Sequence, residues 1–415
     1  MGMGTGMGQL EMTMDRRALI ALLGATSVAG VSDPANAASS AEFPFRVTRN
    51  QAWAAVSIDG KDPMAFLIDT GSNTFGITPN AAAQLALPVI TTTGLQAAVG
   101  RVKVPLYIAK TLTVGGGVRE KDVVLAGMQV GNYDLISGVI PIAKFGVLGL
   151  DFDRQQMLVA RSIDGQPEGY DAFETFPGGD TFGSMNRMGA YALDEDSRNT
   201  LDQRPVVEAE LDGQRLRMLV DTGASMSIYL RPDYVKAKGL WDHYPRSTQS
   251  AVRTLARSAL VRVARAEEFK LGRYLFQSPI IHLGNPEDSG SDGSGNFHGV
   301  IGMELIRRFN LLNHPGRRQL YLKPSQAMQD VYRYDRAGVE IDAVEGRLNI
   351  VWVRPGGPAA RAGLVVGDRV TGWRGKDGYY GLVWALTGAA GTNVEIQVER
   401  AGAQTLVPVI LEESI

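Results

Sequence analysis

Two aspartates stand at the ends of matching apolar runs: Phe66-Leu67-Ile68-Asp69-Thr70-Gly71-Ser72 returns as Met218-Leu219-Val220-Asp221-Thr222-Gly223-Ala224. A short apolar run reads as a strand entering a core, so each carboxyl would be held at the core's edge. A lone buried carboxylate is costly. A facing pair can share one proton, which relieves the repulsion and leaves one acid and one base at a single site. Asp69 and Asp221 are therefore the candidate catalytic residues, one accepting a proton from water while its protonated partner hydrogen-bonds to a substrate carbonyl. Gly71 and Gly223 lack a Cβ, so the two loops can approach closely and donate backbone N–H groups to the carboxylates. One asymmetry separates the halves, Ser72 against Ala224. A Ser72 hydroxyl donating to Asp69 would favour its ionised form and leave the shared proton on Asp221.

Other chemistries find little support. The chain has no cysteine, which removes disulfides, thiol catalysis and Cys-ligated zinc together. Its histidines, His243, His282, His298 and His314, form no His-Glu-x-x-His pattern, and there is no Gly-x-Ser-x-Gly elbow. No metal and no organic cofactor is expected. Lys and Arg total 42 against 44 Asp and Glu, so no net charge draws the chain to nucleic acid or an anionic membrane.

The elements that must position the aspartates repeat with them. The stretch from Val206 to Ser225 parallels that from Ala54 to Asn73, with Asp212-Gly213 matching Asp59-Gly60 at a turn. Downstream, Gly299-Val300-Ile301-Gly302-Met303 is matched to Gly146-Val147-Leu148-Gly149-Leu150, 81 residues from Asp221 to Gly302 and 80 from Asp69 to Gly149. Gly149 and Gly302 are thus expected to lie beneath the two loops with Val147, Leu148, Val300 and Ile301. A duplicated lobe explains the pattern. The chain, 415 residues long, exceeds one ordinary core. Its expected divisions are an export signal at 1–37, a first lobe at 43–164, a linker at 165–204, a second lobe at 205–325 and a smaller domain at 335–415. The linker carries Tyr170, Phe173, Phe176, Phe182 and Tyr191, which suggest packing rather than free suspension.

With these residues in view, the two repeats resemble the aspartic proteases, specifically retropepsin-like bacterial members with two lobes fused in one chain. The resemblance covers about residues 43 to 325 and implies a mainly β fold, a bilobal pair of pepsin-like or retropepsin-like β-barrels with a cleft between them. It implies an aspartic endopeptidase acting on a peptide or protein substrate. Thr70 and Thr222 would hydrogen-bond across the pseudo-twofold, as scaffold with Gly71, Ser72, Gly223, Ala224, Gly149 and Gly302. Hairpins from Thr91 to Gly94 onward, or from Gln249 to Ser258, are candidates by position to cover the cleft.

Residues 335–415 resemble a small α+β PDZ domain, most clearly in the run from Val353 to Val370 and from Gly391 to Gly402. Such domains add a peptide as a strand and often grip its C-terminal carboxylate with backbone N–H groups. Gly338, Val339, Glu340 and Ile341 stand where that gripping loop should be, and the Glu340 charge would oppose a carboxylate. A peptide ligand is the expected partner of this domain.

Asp15-Arg16-Arg17 followed by an apolar run, with Ala35-Asn36-Ala37 as small residues for cleavage, resembles a twin-arginine export signal. The run is too short and too interrupted for a stable membrane span of about twenty apolar residues. A periplasmic or secreted monomer is expected. Met12 and Met14 are alternative starts. The rival reading is a non-catalytic exported peptide-binding scaffold, against which the paired carboxylates argue. A second rival, a dimer pairing lobes across chains, is disfavoured by the duplication within one chain.

Overall fold

Each lobe begins with an antiparallel hairpin that ends in its Asp-Thr-Gly. In the second, Val206–Leu211 pairs with Gln214–Val220, and the two-residue turn between them puts Asp212 and Gly213 at φ 46° and 76°. Asp-Gly is favoured there because both turn positions need positive φ. The first lobe pairs Gln51–Ile58 with Met64–Asp69 and keeps the turn at Asp59 and Gly60, with φ 51° and 71°. The structure is a computed structural model describing residues 40–48, 50–96, 101–128, 136–141, 145–177, 204–253, 258–290, 296–344, 347–375 and 378–415. Residues 1–37, with Phe182 and Tyr191, lie outside it.

A parallel strand then flanks each motif strand on its other side. Met64–Asp69 is joined by Gly138–Pro141, with Leu67 opposite Val139, and Gln214–Val220 by Gly299–Ile301, with Leu219 opposite Val300. Both inserted strands also pair antiparallel with the short strand that follows the Asp loop, Gly76–Ile77 in one lobe and Ile228–Leu230 in the other. The counterpart of Gly299-Val300-Ile301 is therefore Gly138-Val139-Ile140. The sequence match to Gly146–Leu150 is corrected: Val147–Asp151 lies elsewhere, in the sheet shared by the lobes.

That shared sheet has six strands in the order Ser40–Pro44, Gln156–Ala160, Val147–Asp151, Phe309–His314, Gln319–Pro324 and Asp171–Glu174. Its centre joins the halves, with Leu148 opposite Asn313 and Leu150 opposite Leu311. One continuous apolar core runs from Phe45, Phe66 and Ile140 in the first lobe to Phe269, Ile301 and Phe309 in the second. The start of the expected linker belongs to this frame, since Phe173 faces Leu320 in a strand pair and the Arg217 guanidinium lies 4.4 Å over the Phe176 ring. The molecule is thus a mainly β, two-lobed protein.

Corresponding hairpins rise from each lobe, Val89–Gln96 with Arg101–Val114 and Ser247–Arg253 with Ser258–Arg265. They contain both cleft-covering candidates, Thr91 to Gly94 and Gln249 to Ser258, whose tips at 97–100 and 254–257 lie outside the described residues. Beyond Pro324, five strands from Val339–Val344 to Ala403–Ile410 form a separate sheet. It closes its own core with the helices Pro358–Arg361 and Gly378–Ala385, burying Ile341, Ile350, Leu382 and Ile396. No helix among the described residues is long and apolar enough to cross a membrane.

Candidate active site

The two Asp-Thr-Gly loops meet where the lobes join, tied by four hydrogen bonds made by two threonines. Thr70 Oγ1 donates to the Val220 carbonyl at 2.6 Å, and Thr222 Oγ1 donates to the Ile68 carbonyl at 2.6 Å. Each hydroxyl also accepts the backbone N–H of the other threonine at 3.0 Å. Both threonines are fully buried. Each bond contributes about 1 kcal/mol net, and leaving a partner unpaired in such a place costs more. Thr is needed here because a short β-hydroxyl can accept and donate at once.

The carboxyls occupy the space that the threonines define. Gly71 N donates to Asp69 Oδ1 at 2.8 Å, and Gly223 N donates to Asp221 Oδ1 at 2.8 Å. A Cβ on Gly71 would sit 2.5 Å from Asp221 Cγ, and one on Gly223 would sit 2.6 Å from Asp69 Cγ. Each glycine is thus backed by the opposite carboxylate. Asp69 and Asp221 face and hydrogen-bond each other.

Burial raises both carboxyls above the ordinary range. For Asp69 the Asp221 charge and the hydrogen bond between them push further in the same direction, against the Gly71 N–H. For Asp221 the bond from Asp69, the N–H groups of Gly223 and Ala224 and the positive charge of Arg204 work against burial. Two raised carboxyls facing each other favour sharing one proton, and each accepts one backbone N–H at 2.8 Å, from Gly71 and from Gly223. The Ser72 hydroxyl, expected to donate to Asp69, does not supply that asymmetry. That hydroxyl turns away, donating to the Thr74 carbonyl at 3.0 Å and accepting Thr74 N at 3.3 Å, a local turn that competes with the carboxylate for the same hydrogen.

Gly302 lies beneath the Asp221 loop, where a Cβ would come within 2.2 Å of the Met226 carbonyl oxygen. Its neighbours fasten that loop, with Asp221 N donating to the Ile301 carbonyl at 2.9 Å and Met303 N to the Ala224 carbonyl at 2.7 Å. Gly149 has no such place. It pairs with Leu158 and Leu312 in the shared sheet, Val147 and Leu148 go with it, and Pro141 stands in register with Asp69. Residues overlooked in the sequence are Val139 and Ile140, which take that place in the first lobe, and Arg204, a buried cation that acts on both carboxyls. Glu304 was also missed. It is 1% exposed and joins three parts of the chain, accepting from Asn50 of the first lobe and from Arg333 N at 3.2 Å.

The loop of the C-terminal domain lies apart from this centre. Gly338 takes φ 73°, Val339 and Ile341 are buried in strand Val339–Val344, and Glu340 is half-buried between them.

The aspartyl protease family model matches this chain twice, at residues 54–152 and 207–305, once in each lobe. No curated protein matches it. Among solved structures, it is similar to the aspartic proteinase from Irpex lacteus at 12% identity, covering 70% of this chain and 99% of that one with a TM-score of 0.41. The two family matches support a hydrolase of the aspartyl protease kind.

Proposed function

We propose that the chain is an aspartic endopeptidase in which Asp69 and Asp221 act on one water. The observation that carries this reading is the reciprocal placement of each carboxylate against the other loop's glycine. Asp221, ionised, takes a proton from the water as it attacks the scissile carbonyl, and protonated Asp69 donates to the carbonyl oxygen. The water oxygen forms the new C–O bond, giving a neutral tetrahedral diol. Collapse breaks the C–N bond, the proton on Asp221 passes to the leaving nitrogen, and Asp69 recovers its own. The threonine bonds keep the carboxyls at a fixed separation through the cycle, and that pre-organisation supplies rate.

The test is hydrolysis of a peptide library by wild type, Asp69→Asn and Asp221→Asn, with and without a transition-state-mimicking inhibitor of aspartic proteases. Wild-type cleavage that is blocked by the inhibitor and lost in both folded variants is expected. Turnover near wild type in either variant would remove the dyad.

Export and the ancestry of the C-terminal domain complete the proposal. Arg16-Arg17 and the apolar run after them support translocation to the periplasm or medium, which cell fractionation of an Arg16→Lys, Arg17→Lys double variant would check. The resemblance of the runs from Val353 to Val370 and from Gly391 to Gly402 to a PDZ domain supports a peptide-binding ancestry for that domain, and one chain carrying both lobes supports a monomer.

A further inference from the structure

The domain after Pro324 opens on a loop whose backbone N–H groups converge, and they converge on a group of this same chain. Ala337 N and Gly338 N donate to Asp335 Oδ1 at 2.9 Å, and Val339 N donates to Asp335 Oδ2 at 3.2 Å. Three converging N–H groups make an anion-binding concavity. Here the acceptor is a carboxyl of the chain itself. The Tyr379 hydroxyl of helix Gly378–Ala385 donates to the Ile341 carbonyl at 2.9 Å, so a carbonyl of the edge strand is also occupied from within.

Arg354 carries this arrangement to the second lobe. It lies over Gly338, where a Cβ would sit 2.9 Å from Arg354 Nε, and its backbone N donates to the Gly338 carbonyl at 2.9 Å. Its guanidinium donates to Thr248 Oγ1 on the second-lobe hairpin and to Ser414 Oγ at 3.4 Å. The other strand of that hairpin is fastened too, with Arg265 3.5 Å from Glu413. Glu413 in turn accepts from Tyr334 Oη at 2.7 Å and Arg336 Nε at 3.1 Å. Between these polar ties, Tyr334 and Ile415 pack with Val261, Val263, Ile280 and Tyr229, and the same cluster reaches Met226 and Val300. Met226 is the residue whose carbonyl backs Gly302.

We infer that Arg354 is a positioning residue for the second lobe. Asp335 fills the nest that would receive a peptide C-terminus and fixes the Gly338 turn against which Arg354 packs, and Arg354 holds the hairpin Ser247–Arg253 and Ser258–Arg265 and, through the apolar cluster, the back of the Asp221 loop. The domain acts on the cleft as a brace and does not take free C-termini. The effect on catalysis rests on the peptidase reading above; the brace itself does not.

The experiment uses the full chain with Arg354→Met, Arg354→Lys and Asp335→Asn. Hydrogen exchange of residues 247–265 should speed by about tenfold or more in Arg354→Met, as local opening becomes easier, while 89–114 is unchanged and Arg354→Lys is intermediate. KM for a long peptide should rise several-fold with kcat nearly kept. A fluorescent peptide ending in a free apolar carboxylate should bind wild type no better than its C-terminal amide. Unchanged exchange at 247–265 in both folded Arg354→Met and Asp335→Asn would overturn the brace, as would a wild-type preference for the free carboxylate. If wild type cleaves no peptide at all, the peptidase reading fails while the exchange and binding results still decide the brace. If Asp335→Asn does not fold, Arg354→Met alone decides it.

Discussion

Gly71 faces Asp221 so closely that a methyl group in place of its Cα hydrogen would lie 2.5 Å from Cγ of that carboxyl. The reciprocal pair, Gly223 and Asp69, has the same relation at 2.6 Å. The glycines therefore do more than permit a turn: they set how near the two acids stand.

Gly71→Ala and Gly223→Ala should each lower kcat for peptide hydrolysis by about a hundredfold or more, since a displacement of 1 Å at a reacting group has that effect. Overpacking should also destabilise the fold by about 1–3 kcal/mol. Steady-state kinetics and urea unfolding measure the two losses separately. An alanine variant with wild-type kcat would show that the carboxyl spacing is set elsewhere.

Thr70→Val and Thr222→Val keep the shape of the side chain and remove the hydroxyl. Each change strips the opposite lobe's carbonyl, Val220 or Ile68, of its donor and the opposite threonine N–H of its acceptor. A loss of about 2–4 kcal/mol in unfolding free energy is expected from two unpaired buried groups. Valine variants as stable as wild type would mean that the shared sheet and the common core join the lobes without help from these bonds.

Asp69→Asn should raise the melting temperature at neutral pH, and by less as the medium is acidified. The Asp69 carboxyl is raised in the folded state by burial and by Asp221. A raised carboxyl favours folding through its protonated form, fully below the unfolded value near 4, and that contribution is lost as pH climbs through the folded value. Asparagine has no proton to lose. The gain should therefore open above the ordinary aspartate range and widen until the folded carboxyl has ionised, which melts at a series of pH values would reveal. A gain of equal size at pH 4 and pH 7 would show that Asp69 is not strained by ionisation.

Two variants bear on the acid limb of the pH profile of kcat/KM. Arg204→Met should move it to higher pH, because the lost cation favours the ionised form of both carboxyls. Ala224→Ser should leave it in place, since the matching Ser72 hydroxyl bonds to the carbonyl two residues on rather than to its aspartate. An acid shift in Ala224→Ser would restore the serine as a carboxylate donor.

The duplicated hairpins and their Asp-Thr-Gly ends were legible because local turn chemistry and strand patterning recur together, Asp59-Gly60 with Asp212-Gly213 and Phe66-Leu67-Ile68 with Met218-Leu219-Val220. The partner strand was misread in the first lobe. Equal spacing favoured Gly149, yet the tripeptide Gly-Val-Ile stands at 138–140 and again at 299–301, and it is these copies that enter the two sheets. Pro141 in place of a second glycine hid the match. Which strand inserts beside another is fixed by long-range parallel pairing, and residue spacing carries little information about it. Arg204 gave no signal at all, because its relation to the carboxyls exists only after both lobes have folded.

The one-sided attachment of the last domain has a consequence for direction. A polypeptide runs from amino to carboxyl end, and a pair of equivalent lobes offers it two orientations of equal energy. Among the described residues, Tyr334 and Ile415 pack on Val261, Val263 and Ile280 of the second lobe and Arg354 bonds to its Thr248. The surroundings of the two lobes are thereby made unlike, and on the proposed peptidase reading a chain lying across Asp69 and Asp221 would meet different neighbours according to which way it points.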